Sequence, residues 1–165
     1  MTEKLDVVGI GNAMVDAIIP SNQKEIEKHQ INRDSMNLID ENLKNTLHEN
    51  YTIKEMAGGG SLGNSMFGIT SLGGNGSFIG KIKNDEIGIY LQNDMMREGL
   101  KFPLGFTSPD ISTGCCTIFV EEDGTRTMCT FLGAGTLIGP DDINDQHIKN
   151  HKIAYLEGYL WDNEN

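Results

Sequence analysis

The chain lacks the features that mark a membrane or secreted protein. Its 165 residues include one Trp, four Pro and three Cys, and no apolar run approaches the roughly 18–20 residues that span a bilayer. Residues 1–6 contain no apolar signal segment, so we expect a cytoplasmic protein with no membrane partner. Because Cys115, Cys116 and Cys129 lack the spacing of metal ligands, we expect buried free thiols.

Positive charge is also scarce. The chain has 13 Lys and Arg against 24 Asp and Glu, which gives a net charge of −11. Nucleic-acid binding depends on clustered Lys and Arg, so we expect no nucleic-acid partner. The apolar content of 38% and the length are typical of one soluble globular domain.

Glycine, by contrast, is abundant, with 20 residues. The richest stretch is Gly58-Gly59-Gly60-Ser61-Leu62-Gly63-Asn64, at the start of a predicted helix. Glycines let a backbone approach a ligand closely because they have no Cβ. On the predicted strand 13–19, alternation would place Asn12 and Asp16 on one face. Such polar groups beside glycines suit a polyhydroxylated small molecule.

The order of predicted elements favours an α/β fold with a layered sheet and flanking helices. Buried strands should alternate with helices, and a hairpin should turn at Glu122-Asp123-Gly124. The predicted strands cover 5–11, 13–19, 77–80, 117–120, 126–131 and 153–157, and the clearest helices cover 61–72 and 85–98.

Other interpretations of single motifs stay open at this point. Gly58-x-Gly60-x-x-Gly63 matches the dinucleotide fingerprint, but residues 53–56 are too polar for the central buried strand that should precede it. His147 and His151 have zinc-ligand spacing without a third ligand, which favours an exposed helix face. Asp16 is equally compatible with a ligand-binding or a structural role.

Taken together, the motifs resemble the ribokinase-like (PfkB) carbohydrate kinases, and the adenosine-kinase-like subgroup in particular. The similarity extends from about Asp6 to Asp162 and keeps the family order. The motifs that carry it are Gly11-Asn12-Ala13-Met14-Val15-Asp16, Gly59-Gly60-x-x-x-Asn64, Leu72-Gly73-Gly74, Phe78-Ile79-Gly80-Lys81, Asp85-Glu86-x-Gly88, Arg97-Glu98-Gly99, Ser112-Thr113-Gly114 and Asp123-Gly124-Thr125-Arg126-Thr127.

This resemblance implies a ribokinase-like fold with a small β lid, for which the segments near 13–19 and 35–39 are the candidates. It implies ATP-dependent phosphorylation of a hydroxymethyl group on a sugar or nucleoside, with ATP and Mg²⁺ as cofactors. The residues it implies for acceptor binding are Asn12, Asp16, Gly59, Gly60, Asn64 and Glu157. Leu62, Met66 and Lys83 depart from the family pattern, which bears on the identity of the acceptor.

Length sets the remaining expectations. The family's general base, and most of its ATP and Mg²⁺ sites, would lie beyond Asn165. We therefore expect residues 1–165 to be the N-terminal, acceptor-binding part of a kinase, inactive alone, with a homodimer as the candidate assembly. The alternatives are a non-catalytic sugar- or nucleoside-binding module and a dinucleotide-binding oxidoreductase.

Overall fold

The computed structural model describes residues 4–162, and it confirms the α/β class. Strands and helices alternate along most of the chain, with three short 3₁₀ segments near its end. The strands are β1 (Leu5–Ile10), β2 (Met14–Pro20), β3 (Met36–Leu38), β4 (Glu55–Gly59), β5 (Gly76–Ile79), β6 (Ile82–Lys83), β7 (Phe106–Ser108), β8 (Gly114–Val120), β9 (Arg126–Phe131) and β10 (His151–Leu156). The helices are α1 (Gln23–Glu27), α2 (Glu41–Asn50), α3 (Ser61–Ser71), α4 (Glu86–Arg97) and α5 (Asp145–Lys149), and the 3₁₀ segments are Gly133–Leu137, Pro140–Asp142 and Gly158–Asp162.

A parallel three-stranded sheet has the order β10-β1-β5. Its two faces are covered by different elements, since side chains alternate along a strand. Val7 packs with residues of α3 and α4 on one face, and Val8 and Ile10 pack with apolar residues of the 130–160 region on the other. The carboxyl ends of β1 and β10 meet at one edge, where Ile10 is in register with Leu156.

A mixed five-stranded sheet has the order β3-β9-β8-β2-β4. One face is packed by α1 and α2, through contacts of Ile26 and Leu47 with Phe119. Both segments proposed for the lid, 13–19 and 35–39, contribute to this sheet as β2 and β3. Strands β8 and β9 form the predicted antiparallel hairpin.

The opposite face of the five-stranded sheet carries a separate apolar cluster. Met14, Cys116 and Ile118 are its buried members, and the residues packed against them come from strands or from the position after β9. We refer to this surface, which also includes Asp16 by its register with Cys116, as the Asp16 face. Two apolar side chains of β3 in the same sheet, Met36 and Leu38, are exposed.

The helix boundaries follow local chemistry closely. Asp85 caps α4 by accepting a hydrogen bond from the backbone N–H of Gly88. Gly99, with a positive φ of 81°, follows that helix, as the sequence predicts. Among residues 4–162, no helix is long and apolar enough to cross a membrane.

Two sequence-based expectations are wrong. His147 and His151 do not share an exposed helix face, because α5 ends at Lys149 and His151 is a buried residue of β10. Its ring bonds to the Ser77 hydroxyl and to the carbonyl of His147. Asn12 does not share a strand face with Asp16, because it lies in the turn between β1 and β2.

Candidate functional site

Asp16 is a half-buried carboxylate on a largely apolar face of the five-stranded sheet. Within residues 4–162 its side chain has neither a hydrogen bond nor an ion pair. Burial raises the pKa of Asp16 above its ordinary value of 3.8, and the positive charge of Arg126 opposes that rise. An unpartnered carboxylate is costly to bury, so its acceptor capacity is available to a ligand.

The glycine stretch leaves room for that carboxylate. A Cβ on Gly59 would lie 2.3 Å from Cγ of Asp16, so any side chain here would displace the acid. Gly60 adopts a φ of 79°, and a Cβ there would meet Cγ of Met14 at 2.9 Å. The two glycines are therefore required by the packing of β2 against the end of β4 and the N-cap of α3.

Glu157 has the opposite surroundings. Its carboxylate is buried and accepts four hydrogen bonds within the described chain. Oε2 accepts from the backbone N–H of Asn12 at 2.8 Å and from its Nδ2 at 2.9 Å. Oε1 accepts from the Ser61 hydroxyl at 2.5 Å and from the backbone N–H of Leu62 at 3.2 Å. We refer to these four residues as the Glu157 junction.

The structure thus brings the predicted site residues together in two adjacent groups. Asp16 lies against Gly59, and Asn12 lies against Glu157. Gly60 lies between the two groups, because a Cβ built on it would be 3.6 Å from the Asn12 carbonyl oxygen. Asn64 lies one turn into α3, where its backbone N–H donates to the Gly60 carbonyl and its side chain is exposed. The roles of these residues in binding stay predictions.

Sequence reasoning did not select two residues of this region, Ser61 and Arg126. Ser61 belongs to the junction, and its position immediately after Gly60 was a usable signal. Arg126 is in register with Val120, two pairs beyond Ile118 and Met128, which places it on the Asp16 face. Strand alternation in the predicted hairpin could have shown this.

Neither a metal site nor a reactive thiol is evident in the region. Among residues 4–162, no group of three His, Cys, Asp or Glu side chains is arranged to hold a metal ion. The three cysteines are free and buried, as predicted. Burial raises the pKa of Cys116 to about 11 and that of Cys115 to about 12, which keeps these thiols protonated.

Comparison with known proteins identifies the class. Residues 5–164 match the pfkB family carbohydrate kinases, and the chain therefore belongs to that family, whose members use ATP. The predicted resemblance and the ribokinase-like fold are confirmed. A curated relative, a probable fructokinase-4 from Arabidopsis thaliana, is 31% identical over 106 residues, which cover 60% of this chain and 31% of the plant protein.

Solved structures add the fold relationship at higher coverage. An adenosine kinase from Sinorhizobium meliloti is 38% identical with a TM-score of 0.86, and the match covers 96% of this chain and 49% of that protein. A probable sugar kinase from Rhizobium etli CFN 42 is 34% identical with a TM-score of 0.86, and the match covers 98% and 49%. The chain thus spans about half the length of these solved relatives.

Proposed function

We propose that this chain binds the hydroxyl-bearing acceptor of an ATP-dependent phosphotransferase, a sugar or a nucleoside. One observation carries the proposal: Asp16 has no hydrogen-bond partner among residues 4–162, yet lies half-buried against Gly59. A charged carboxylate accepts hydrogen bonds from vicinal hydroxyls strongly. Membership of a family of carbohydrate kinases supplies the chemical class of the ligand.

The surroundings of Asp16 favour a nucleoside over a simple sugar. On the Asp16 face the partly buried side chains Val120, Met128 and Leu132 pack over the buried Met14, Cys116 and Ile118 and keep some apolar surface exposed. A hexose presents hydroxyls in most directions, whereas a nucleoside joins a polyol to a flat and largely apolar base. Because apolar contacts contribute in proportion to the area removed from water, an acceptor with one apolar part uses this surface better.

The role of this chain in the reaction is to bind and orient the acceptor. Asp16, Asn12 and Asn64 would hold its hydroxyls, and Gly59 and Gly60 would let it approach the backbone. Correct positioning supplies a large share of the rate in phosphoryl transfer. The family resemblance places the general base, and most of the ATP and Mg²⁺ sites, in the half of the solved relatives that this chain does not cover. Closure of the five-stranded sheet over the acceptor would exclude water.

The dinucleotide-binding alternative is disfavoured by the strand before the glycines. β4 pairs antiparallel with β2 at the edge of the mixed sheet. A dinucleotide fingerprint requires a parallel β-α-β unit around its glycines. A non-catalytic binding module would have the same acceptor site, so only a test of phosphoryl transfer separates it from a kinase.

A binding experiment with the 165-residue chain tests the proposal. Titration with adenosine, ribose and fructose, followed by calorimetry, should show saturable binding that is tightest for adenosine. Asp16→Ala should abolish or strongly weaken it, whereas Asp110→Asn, an exposed acid elsewhere, should not. Absence of binding by all three compounds, or equal binding by the Asp16→Ala variant, would contradict the proposal.

A second measurement separates catalysis from binding. We expect the chain alone to consume no ATP in the presence of an acceptor that it binds. Joining it to the complementary half of a family member, which carries the general base, should restore ATP-dependent phosphorylation. Binding without any restored transfer would favour the non-catalytic module.

A further inference from the structure

The Glu157 junction joins three segments that are far apart in sequence. Glu157 follows β10, Asn12 follows β1, and Ser61 and Leu62 begin α3. The bonds from Asn12 and from Leu62 bridge 145 and 95 residues, respectively. With Glu157 only 5% exposed, each carboxylate oxygen accepts two protein hydrogen bonds. This leaves little capacity for a ligand, since an ionised carboxylate offers about four acceptor positions.

The carboxylate compensates for a missing cap on α3. Gly60 occupies the N-cap and provides no side-chain hydrogen bond, and its φ of 79° and the nearby Met14 side chain require a glycine. The first backbone N–H groups of a helix need acceptors. Glu157 supplies one to Leu62 from a distant strand, and its negative charge at this helix end is electrostatically favourable.

The same carboxylate sets the orientation of Asn12. One oxygen, Oε2, accepts from both its backbone and its side-chain nitrogen. On the other side, a Cβ at Gly135 would lie 2.8 Å from Oδ1 of Asn12, so the carboxamide packs directly against that glycine. A Cβ at Gly11 would lie equally close to Oε2 of Glu157, at 2.8 Å. The Asn12 side chain is therefore held between a carboxylate and a glycine backbone.

From this geometry we propose that Glu157 is a positioning residue for the acceptor site. It acts through Asn12 and the start of α3, and it does not contact the acceptor. The inference rests on the proposed function, because it assigns Asn12 and the Gly60 loop to one acceptor. It differs from the sequence-based expectation, in which Glu157 is itself a ligand.

Glu157→Gln is the sharpest probe because it replaces one acceptor oxygen by a donor nitrogen and keeps the side-chain volume almost unchanged. A carboxamide has one acceptor oxygen and one donor nitrogen. If its oxygen faces Asn12, the N–H of Leu62 loses its acceptor. If its oxygen faces Leu62, the backbone and side-chain nitrogens of Asn12 both lose their acceptor. Either orientation must release one side of the junction.

The experiment compares Glu157→Gln with wild type in the ¹⁵N-labelled full chain, first without ligand and then with adenosine. We expect the Asn12 side-chain and Leu62 backbone amide resonances to move in the ligand-free variant. Adenosine affinity should fall about tenfold, as expected for one charge-assisted bond. The control is Asp85→Asn, since Asp85 also caps a helix and accepts from Thr113; it should lower the melting temperature while leaving affinity and the Asn12 resonances unchanged.

The outcomes are distinguishable. Unchanged Asn12 resonances or unchanged adenosine affinity in Glu157→Gln would overturn the proposal. A loss of affinity with an undisturbed Asn12 would also overturn it, because that pattern identifies a direct ligand. If wild type binds neither adenosine, ribose nor fructose, the proposed function fails, whereas the ligand-free resonances still decide whether Glu157 orients Asn12.

A milder variant covers the case in which Glu157→Gln does not fold. Ser61→Ala removes one of the four hydrogen bonds and leaves the backbone of α3 intact. Ser61 bonds to Oε1, whereas Asn12 bonds to Oε2. A shift of the Asn12 side-chain resonance in Ser61→Ala would support coupling through Glu157, and the absence of both a shift and an affinity change would overturn it.

Discussion

Asp16 and Glu157 are two carboxylates of one candidate site with opposite surroundings. Asp16 lies on an apolar sheet face, half-buried, without a hydrogen bond from residues 4–162. Glu157 is buried among four donors. The comparison separates two tasks, because an acid whose acceptor positions are filled holds the fold, and an acid whose positions are free can hold a ligand.

The difference arises from what each backbone segment presents. Glu157 faces a chain turn and a helix start, where backbone N–H groups need acceptors. Asp16 faces Gly59 within β4, whose backbone groups are engaged in pairing with β2. Loss of Glu157 should therefore lower both stability and acceptor affinity, whereas loss of Asp16 should lower acceptor affinity and spare stability.

The largest expected effect is on stability. Glu157→Ala removes the acceptor of four donors, among them the backbone N–H groups of Asn12 and Leu62. Unpaired buried donors cost about 1–3 kcal/mol each, so we expect the free energy of unfolding to fall by roughly 3–5 kcal/mol. Urea denaturation at neutral pH measures it. A loss below that of an ordinary surface substitution, about 0.5 kcal/mol, would show that the junction does not stabilise the fold.

Asp16→Asn should affect binding and spare stability. Removal of a charge-assisted hydrogen-bond acceptor costs roughly 1.5–3 kcal/mol, or about ten- to a hundredfold in acceptor affinity. Because burial raises the pKa of Asp16 in the folded chain, its charge is unfavourable there at neutral pH, and the variant should unfold at an equal or higher urea concentration. Calorimetry with adenosine and urea denaturation of one preparation give both quantities. A destabilised variant with normal affinity would reverse the comparison.

The two acids also show what a sequence can predict. Strands β1, β2, β5 and β10, helices α3 and α4 and the β8–β9 hairpin follow from local patterns, because caps, turns and alternation act over a few residues. Strand β4 does not, because it is a short edge strand that ends in Gly58 and Gly59, which the sequence placed at a helix start. The family motifs selected Asn12, Asp16 and Glu157 for acceptor binding, and the structure places all three close to the glycine stretch, while their binding roles stay predictions. The partners of Glu157 lie 145, 96 and 95 residues away, and no local pattern encodes such contacts. For the same reason His151, a strand residue bonded to Ser77, was assigned to a helix face.

A smaller effect is expected at Gly59. A Cβ there would overlap the Asp16 carboxylate at 2.3 Å from Cγ, and overpacking of this kind costs about 1–3 kcal/mol. Because the Asp16 side chain can rotate away, we expect Gly59→Ala to lower acceptor affinity about three- to tenfold. Gly68→Ala is the matched control, since a Cβ there meets nothing within 4 Å in the interior of α3 and should raise stability by about 0.5–1 kcal/mol. Unchanged affinity in Gly59→Ala would remove Asp16 from the acceptor site.

The smallest expected effect is a pH dependence of acceptor affinity, which we attribute to the titration of Asp16. Its pKa is raised by burial, so between the ordinary value of 3.8 and the raised pKa the folded chain binds more protons than the unfolded chain. The contribution of Asp16 to stability therefore decreases as pH rises through this window, whereas acceptor affinity increases as the carboxylate ionises. Wild type should lose a few-fold in adenosine affinity when acidified through the window, and Asp16→Asn should show a flat profile. The difference between the two unfolding free energies, measured against pH, should change in the opposite direction to affinity. A pH profile of binding that persists in Asp16→Asn would assign the titration to another group and leave the open carboxylate without a demonstrated ligand role.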